Sequence, residues 1–168
     1  MSVANEKSLS GISRPKLPLP PPALAGLAFG AQVLLSKRRA SSTGSRIAGL
    51  LIAGASISLD VAATLEFKRN NTTMDPITLD ATSLVETGPY RWTRNPMYLG
   101  AIGLLVAHAV ARRSWPALIP AAVFATLIDR FQIPAEEAAM RQLFGSEYER
   151  YLAGRPRWLG PVPRRRNA

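Results

Sequence analysis

The sequence contains no cysteine, a single histidine and only 11 acidic residues among 168. Without cysteine there is no disulfide frame, no thiol nucleophile and no thiolate metal site, and the redox compartment stays open. One histidine cannot build a histidine-based metal centre, nor a credible Ser/His/Asp relay. His108 lies in an apolar run and reads as a helix-packing or interfacial residue. No GxGxxG follows a strand and no P-loop occurs, so the usual phosphate cradles are absent. Alternating strand patterns of useful length and internal repeats are missing too, which leaves an all-α chain about one domain long.

What is present is apolar sequence and positive charge. The formal net charge is +10 and 47% of the residues are hydrophobic. Charge alone invites a nucleic-acid partner, but the basic residues form no continuous stripe. They punctuate the apolar runs, as at Lys37-Arg38-Arg39, Lys68-Arg69, Arg112-Arg113 and Arg164-Arg165-Arg166. Basic residues flank membrane segments in this way. The reading is an integral membrane protein in contact with the lipid bilayer, with no nucleic acid and no metal.

Residues 1–22 carry Pro15, Pro18, Pro20, Pro21 and Pro22 and are expected to be extended or disordered. Four apolar segments follow, at 23–36, 47–67, 97–111 and 115–129. Only the second has the ~20 residues of a full span. It is rich in Gly, Ala and Ser, which let membrane helices approach closely. The third and fourth are separated by Arg112, Arg113 and Ser114 alone, so a tight antiparallel hairpin is expected. Each arm is about 22 Å of helix against a hydrocarbon core of about 30 Å.

A hairpin puts the loop 68–96 and the chain from Arg130 onward on the same side. With four helices and the N-terminus inside, 15 of the 21 Lys and Arg fall on that side. The loop and a helical cap, 130–159, are therefore expected in the cytoplasm, with a basic tail at 160–168. In the cap, Pro134 sits near the first turn of one short helix that Gly145 ends. A second runs to Gly154 from the capping box of Ser146 and Glu149.

Two clusters face each other across this arrangement. The stretch GPYRWTRNPMYLG, residues 88–100, opens the third helix, with Pro96 at its first position and Asn95 placed to cap it. Tyr90, Trp92 and Tyr98 offer flat faces, and the helix N-terminus suits an anion. Read alone, the stretch fits an interfacial aromatic belt equally well. Glu136 and Glu137 open the cap. Their ordinary role would be to complement a helix dipole, but opposite an aromatic loop they suit a zwitterionic or cationic ligand with a planar ring.

The order TGPYRWTRNPMYLG, hairpin, EEAAMRQLFGSEYERYL resembles the isoprenylcysteine carboxyl methyltransferase and phospholipid methyltransferase superfamily. The resemblance runs from about Leu65 to Leu159 and includes TTMDP at residues 72–76. It implies a multi-pass membrane methyltransferase domain over 23–159 that uses S-adenosylmethionine. It further implies that Thr82, Ser83, Leu84 and Val85 border the cofactor. Tyr90, Asn95, Pro96, Met97, Tyr98, Glu136 and Glu137 would contact it. Many relatives carry histidine where this chain has Asn95, which can still hydrogen-bond but has no acid–base role. The arginine that the eukaryotic prenylcysteine enzymes use to hold the substrate carboxylate aligns near Gln132, with Arg130 the nearest candidate.

The resulting expectation is methyl transfer to a lipophilic acceptor, a small molecule or lipid such as an isoprenylcysteine-like carboxylate. The site would face the cytoplasm, in a bacterial inner membrane. An amine-directed phospholipid N-methyltransferase and a non-catalytic membrane scaffold are the alternatives.

Overall fold

Proline opens four of the described helical elements, each time at the first or second position. A helix start has no use for that N–H, and the fixed φ is already helical. The computed structural model describes residue 17 and residues 19–36, 41–72 and 82–160. The chain before residue 17, the Lys37-Arg38-Arg39 stop, TTMDP beyond Thr72 and the 164–166 basic tail lie outside them.

Helix α1 spans Pro21–Leu35. The extended stretch expected to reach residue 22 therefore stops earlier. Pro20 has the polyproline geometry, with φ −66° and ψ 150°, and Pro21 and Pro22 form the first helical turn. Helix α2 spans Thr43–Arg69, and Ser42 Oγ caps it by accepting from Ser45 N at 3.1 Å. A 3-10 turn at Gly88–Arg91 leads into α3, Pro96–Ala111. Arg112 to Ser114 then reverse the chain through Arg113 at φ 50°. Beyond this turn come a 3-10 turn at Trp115–Ala117 and α4, Leu118–Leu127. A π-helical segment, Ile128–Gln132, joins it to α5, Ile133–Gly154.

The last four elements form one rod, Trp115–Gly154. The separate cap expected from Arg130 onward is thus a continuation of the fourth membrane segment. Pro134 does not break it, because the π segment widens the backbone where the proline ring would meet the carbonyl four residues back. Gly145, expected to end one helix before a second begins, is non-helical at φ 49° and ψ −121°, so two helices of the rod meet there at a kink. Thr43–Arg69 and Trp115–Gly154 are both long and apolar enough to cross a membrane, while α1 and α3 are shorter apolar helices. The fourth segment, too short by itself, is extended by the residues that follow it to a helix of membrane length. All described elements are helical, with no strand among the described residues.

Apolar side chains on the outside fit this setting. Leu27, Leu34, Leu50, Leu51 and Ile119 are all exposed. Trp92 and Trp115, 69% and 78% exposed, lie just beyond the two ends of α3. The 16 residues of α3 rise about 24 Å, short of a hydrocarbon core of about 30 Å.

The small residues of α2 find their partner in α3. A methyl group on Gly103 would stand 2.2 Å from Ser56 Oγ, and one on Gly100 would stand 2.0 Å from Asp60 Oδ1. Only glycine permits such an approach. A second core joins α1, α3 and the rod through Leu105, Ala121, Phe124, Ile128 and Ile133. At its edge Gln32 is fully buried. Its Nε2 donates to Leu105 O at 3.0 Å and Ala117 O at 2.6 Å, and its Oε1 lies 3.2 Å from His108 Nδ1. His108 also packs on Phe29, so it does the helix-packing work expected of it. Gln32→Leu keeps the bulk but loses these bonds, and should cost about 1–2 kcal/mol in detergent unfolding.

Candidate functional site

The loop before α3 is pinned to α2 from below. Thr82 N donates to Thr72 Oγ1 at 3.0 Å, Thr82 Oγ1 to Asn71 O at 3.2 Å and Ser83 Oγ to Asn70 O at 3.3 Å. Leu84 is half-buried. Val85, Tyr90 and Met97 pack with Ala63 and Phe67 into an apolar cluster, where the Tyr90 ring meets Phe67 edge-on at 5.5 Å. Glu66 fixes the start of the 3-10 turn. It accepts from Thr87 Oγ1 and pairs with Arg69 at 2.8 Å, and its side chain lies against Gly88. Gly88 has φ 58°, so any other residue there would be both strained and in collision with Glu66.

From the other side the loop is held by α5 and the chain beyond it. Tyr151 Oη donates to Tyr90 O at 3.0 Å. Arg94 N donates to Pro156 O at 3.0 Å, and Thr93 Oγ1 donates to Arg157 O at 2.9 Å. Asn95 stands at the N-cap position of α3, but its side chain caps nothing. Instead Nδ2 donates to the same Arg157 carbonyl at 2.9 Å, so the expected cap is an inter-segment tie.

The two glutamates divide. Glu137 is buried and lies 3.0 Å from both Arg94 Nη1 and Arg157 Nη2. Asp129 adds to this cluster, reaching Arg157 at 3.4 Å and accepting from Trp158 Nε1 at 2.9 Å. Burial alone would lower the Arg157 pKa. The hydrogen bonds and charges of Glu137 and Asp129 outweigh it and hold the guanidinium above its ordinary value. Glu136, one residue earlier, accepts from Tyr98 Oη and from Gln132 Nε2, the latter at 2.8 Å.

The aromatic trio divides as well. Trp92 faces outward, as a belt residue would, whereas Tyr90 is buried and Tyr98 binds Glu136. Burial pushes the Tyr90 phenol well above the usual tyrosine range, and the nearby charges of Glu136, Asp60 and Glu66 add to the shift. It therefore stays protonated near neutral pH, a neutral hydroxyl that both donates and accepts. Arg130 is not part of the cluster: it is exposed and pairs with Asp129 at 3.6 Å. The arginines at the site are Arg94 and Arg157. Sequence reasoning passed over Asp60 and Tyr151 as site residues, and met Gln132 only as the position aligned with a substrate-holding arginine. Asp60 carried a usable signal, as an acid inside an apolar run.

The phospholipid methyltransferase family profile matches residues 45–147, well over half of the chain. The chain belongs to the phospholipid methyltransferase family. No curated protein and no solved structure gives a match. The family is one of membrane methyltransferases acting on lipid-like substrates, in keeping with the two membrane-length helices. The matched span takes in α2 from its third residue, the motif loop, α3, the π segment and both glutamates.

Proposed function

We propose that this phospholipid methyltransferase family member is a multi-pass membrane enzyme that uses S-adenosylmethionine to methylate the polar head of a lipophilic acceptor. The observation that carries the reading is the Tyr98–Glu136 hydrogen bond, which joins the two halves of the motif across 38 residues of sequence. The donor and acceptor set fits the cofactor. Glu136 and the protonated Tyr90 would hold its cationic amino-acid end. Arg94 Nε, a buried donor with no partner among the described residues, would take its carboxylate. When bound, the cofactor supplies an electrophilic methyl group on a positively charged sulfur.

The chain's own task is then alignment and exclusion of water. The Val85, Tyr90 and Met97 cluster closes the α2 side, and the Glu137–Arg157 pair fixes the start of α5. The acceptor would enter from the lipid, between helices. We place the loop and α5 at the cytoplasmic face, from the asymmetry of Lys and Arg.

Calorimetric titration of S-adenosylmethionine into the detergent-solubilised protein tests the reading. Wild type is expected to bind, and Glu136→Ala to bind about tenfold more weakly or worse, since a charge-assisted contact is lost. A folded wild type without affinity would make the protein a membrane scaffold. Equal affinity in the variant would remove Glu136 from the site.

A further inference from the structure

Four acids around the site already have partners. Glu66 holds Thr87 and Arg69, Glu136 holds Tyr98 and Gln132, Glu137 holds Arg94 and Arg157, and Asp129 holds Arg157 and Trp158. Asp60 differs. It lies inside α2, and its buried Oδ1 has no hydrogen-bond partner among the described residues.

The placement of that carboxylate is tightly constrained. It lies against the backbone of α3 at Gly100, where an added methyl would stand 2.0 Å from Oδ1, 2.5 Å from Cγ and 2.8 Å from Oδ2. Gly100 is one helical turn beyond Pro96, so the carboxylate stands directly behind the motif. Its charge acts on the Tyr90 phenol together with those of Glu136 and Glu66. On its own helix, Ile57 and Val61 are exposed, so Asp60 borders the lipid-facing surface. Ser56, one turn earlier, donates to Ile52 O at 2.8 Å and offers it nothing.

An ionisable group within a membrane helix is costly unless paired. The carboxylate lacks a donor among the described residues, it sits beside the cofactor side of the motif, and it borders the lipid-facing surface. We infer that Asp60 binds the methyl acceptor, accepting a hydrogen bond from an N–H or O–H of its head group. This rests on the methyltransferase reading and narrows it. A head that donates, whether an ammonium or a hydroxyl, is held there, and a carboxylate head is repelled by like charge.

Dodecylamine, dodecanol and dodecanoate share one tail and separate these heads. Each, radiolabelled, is equilibrated with the full chain in phosphatidylcholine nanodiscs, with empty nanodiscs subtracted. Asp60→Asn and Gly100→Ala, the latter displacing the carboxylate sterically, are measured alongside. Wild type should retain the amine, the alcohol or both about tenfold more tightly than the carboxylate. Amine alone identifies a cationic head, and the alcohol with it a neutral donor. Both variants should lose the preference while binding S-adenosylmethionine within about twofold of wild type. Equal retention of the carboxylate by wild type, or a preference that survives in Asp60→Asn, overturns the inference. Wild type that binds no S-adenosylmethionine overturns the methyltransferase reading instead. The two failures are therefore told apart on the same samples.

Discussion

Replacing Glu137 with alanine is expected to lower the unfolding free energy by about 3–5 kcal/mol, the cost of removing one partner from a buried ion pair. The side chain is only 10% exposed and has Arg94 and Arg157 each at 3.0 Å. Alanine would leave two guanidinium groups facing one another with Asp129 as the remaining nearby acid. The damage should spread, because Thr93 and Asn95 both donate to the Arg157 carbonyl and Arg94 N to Pro156 O. Chemical unfolding in detergent, followed by tryptophan fluorescence, measures it, and Trp158 reports locally through its bond to Asp129. Glu137→Gln keeps the shape but not the charge, and should fall between. A loss under about 1 kcal/mol for alanine would mean the cluster behaves as a solvent-exposed one.

Gly49→Leu should be nearly as severe. A Cβ there would stand 2.7 Å from Ala111 Cβ, 2.8 Å from Ala107 O and 3.2 Å from Ala111 Cα. Two of those are backbone atoms, which cannot rotate aside, so α2 and α3 must separate. Overpacking of this kind costs about 3 kcal/mol, and here it would also pull Asp60 away from Gly100. The same helix supplies its control. Gly54 has nothing within 4 Å of a built Cβ, so Gly54→Leu should stay within about 0.5 kcal/mol of wild type. Similar losses for both variants would show that leucine disturbs α2 itself rather than its contact with α3.

The apolar segments and their punctuation were legible in the sequence because burial in lipid demands long runs free of charge. Gly145 was legible because only glycine takes its backbone geometry without strain. The π segment was not, since nothing in Ile-Asp-Arg-Phe-Gln marks a widened turn. The sequence therefore made Pro134 look like a boundary, when in fact the rod passes through it. Trp92 and Tyr90 were indistinguishable as aromatics two residues apart, and only the tertiary contact with Phe67 and Tyr151 separates them. Arg157 was missed for the opposite reason. It sits past the last helix in a stretch with no periodic pattern, and its importance comes from what folds back upon it. Asp60 could have been found, because an acid in a Gly/Ala/Ser-rich span is expensive and calls for a reason.

The fold-back of Arg157 and Trp158 bears on the order of assembly. Both residues follow every described helix, yet the motif loop, made some sixty residues earlier, depends on them. During synthesis α2 and α3 can insert and pair while Glu137, Arg94 and Asn95 still lack their common partner. A nascent chain halted at Gly154 would hold all the described helices and an unfinished site. The motif loop would thus gain these ties only after the described membrane helices have been made.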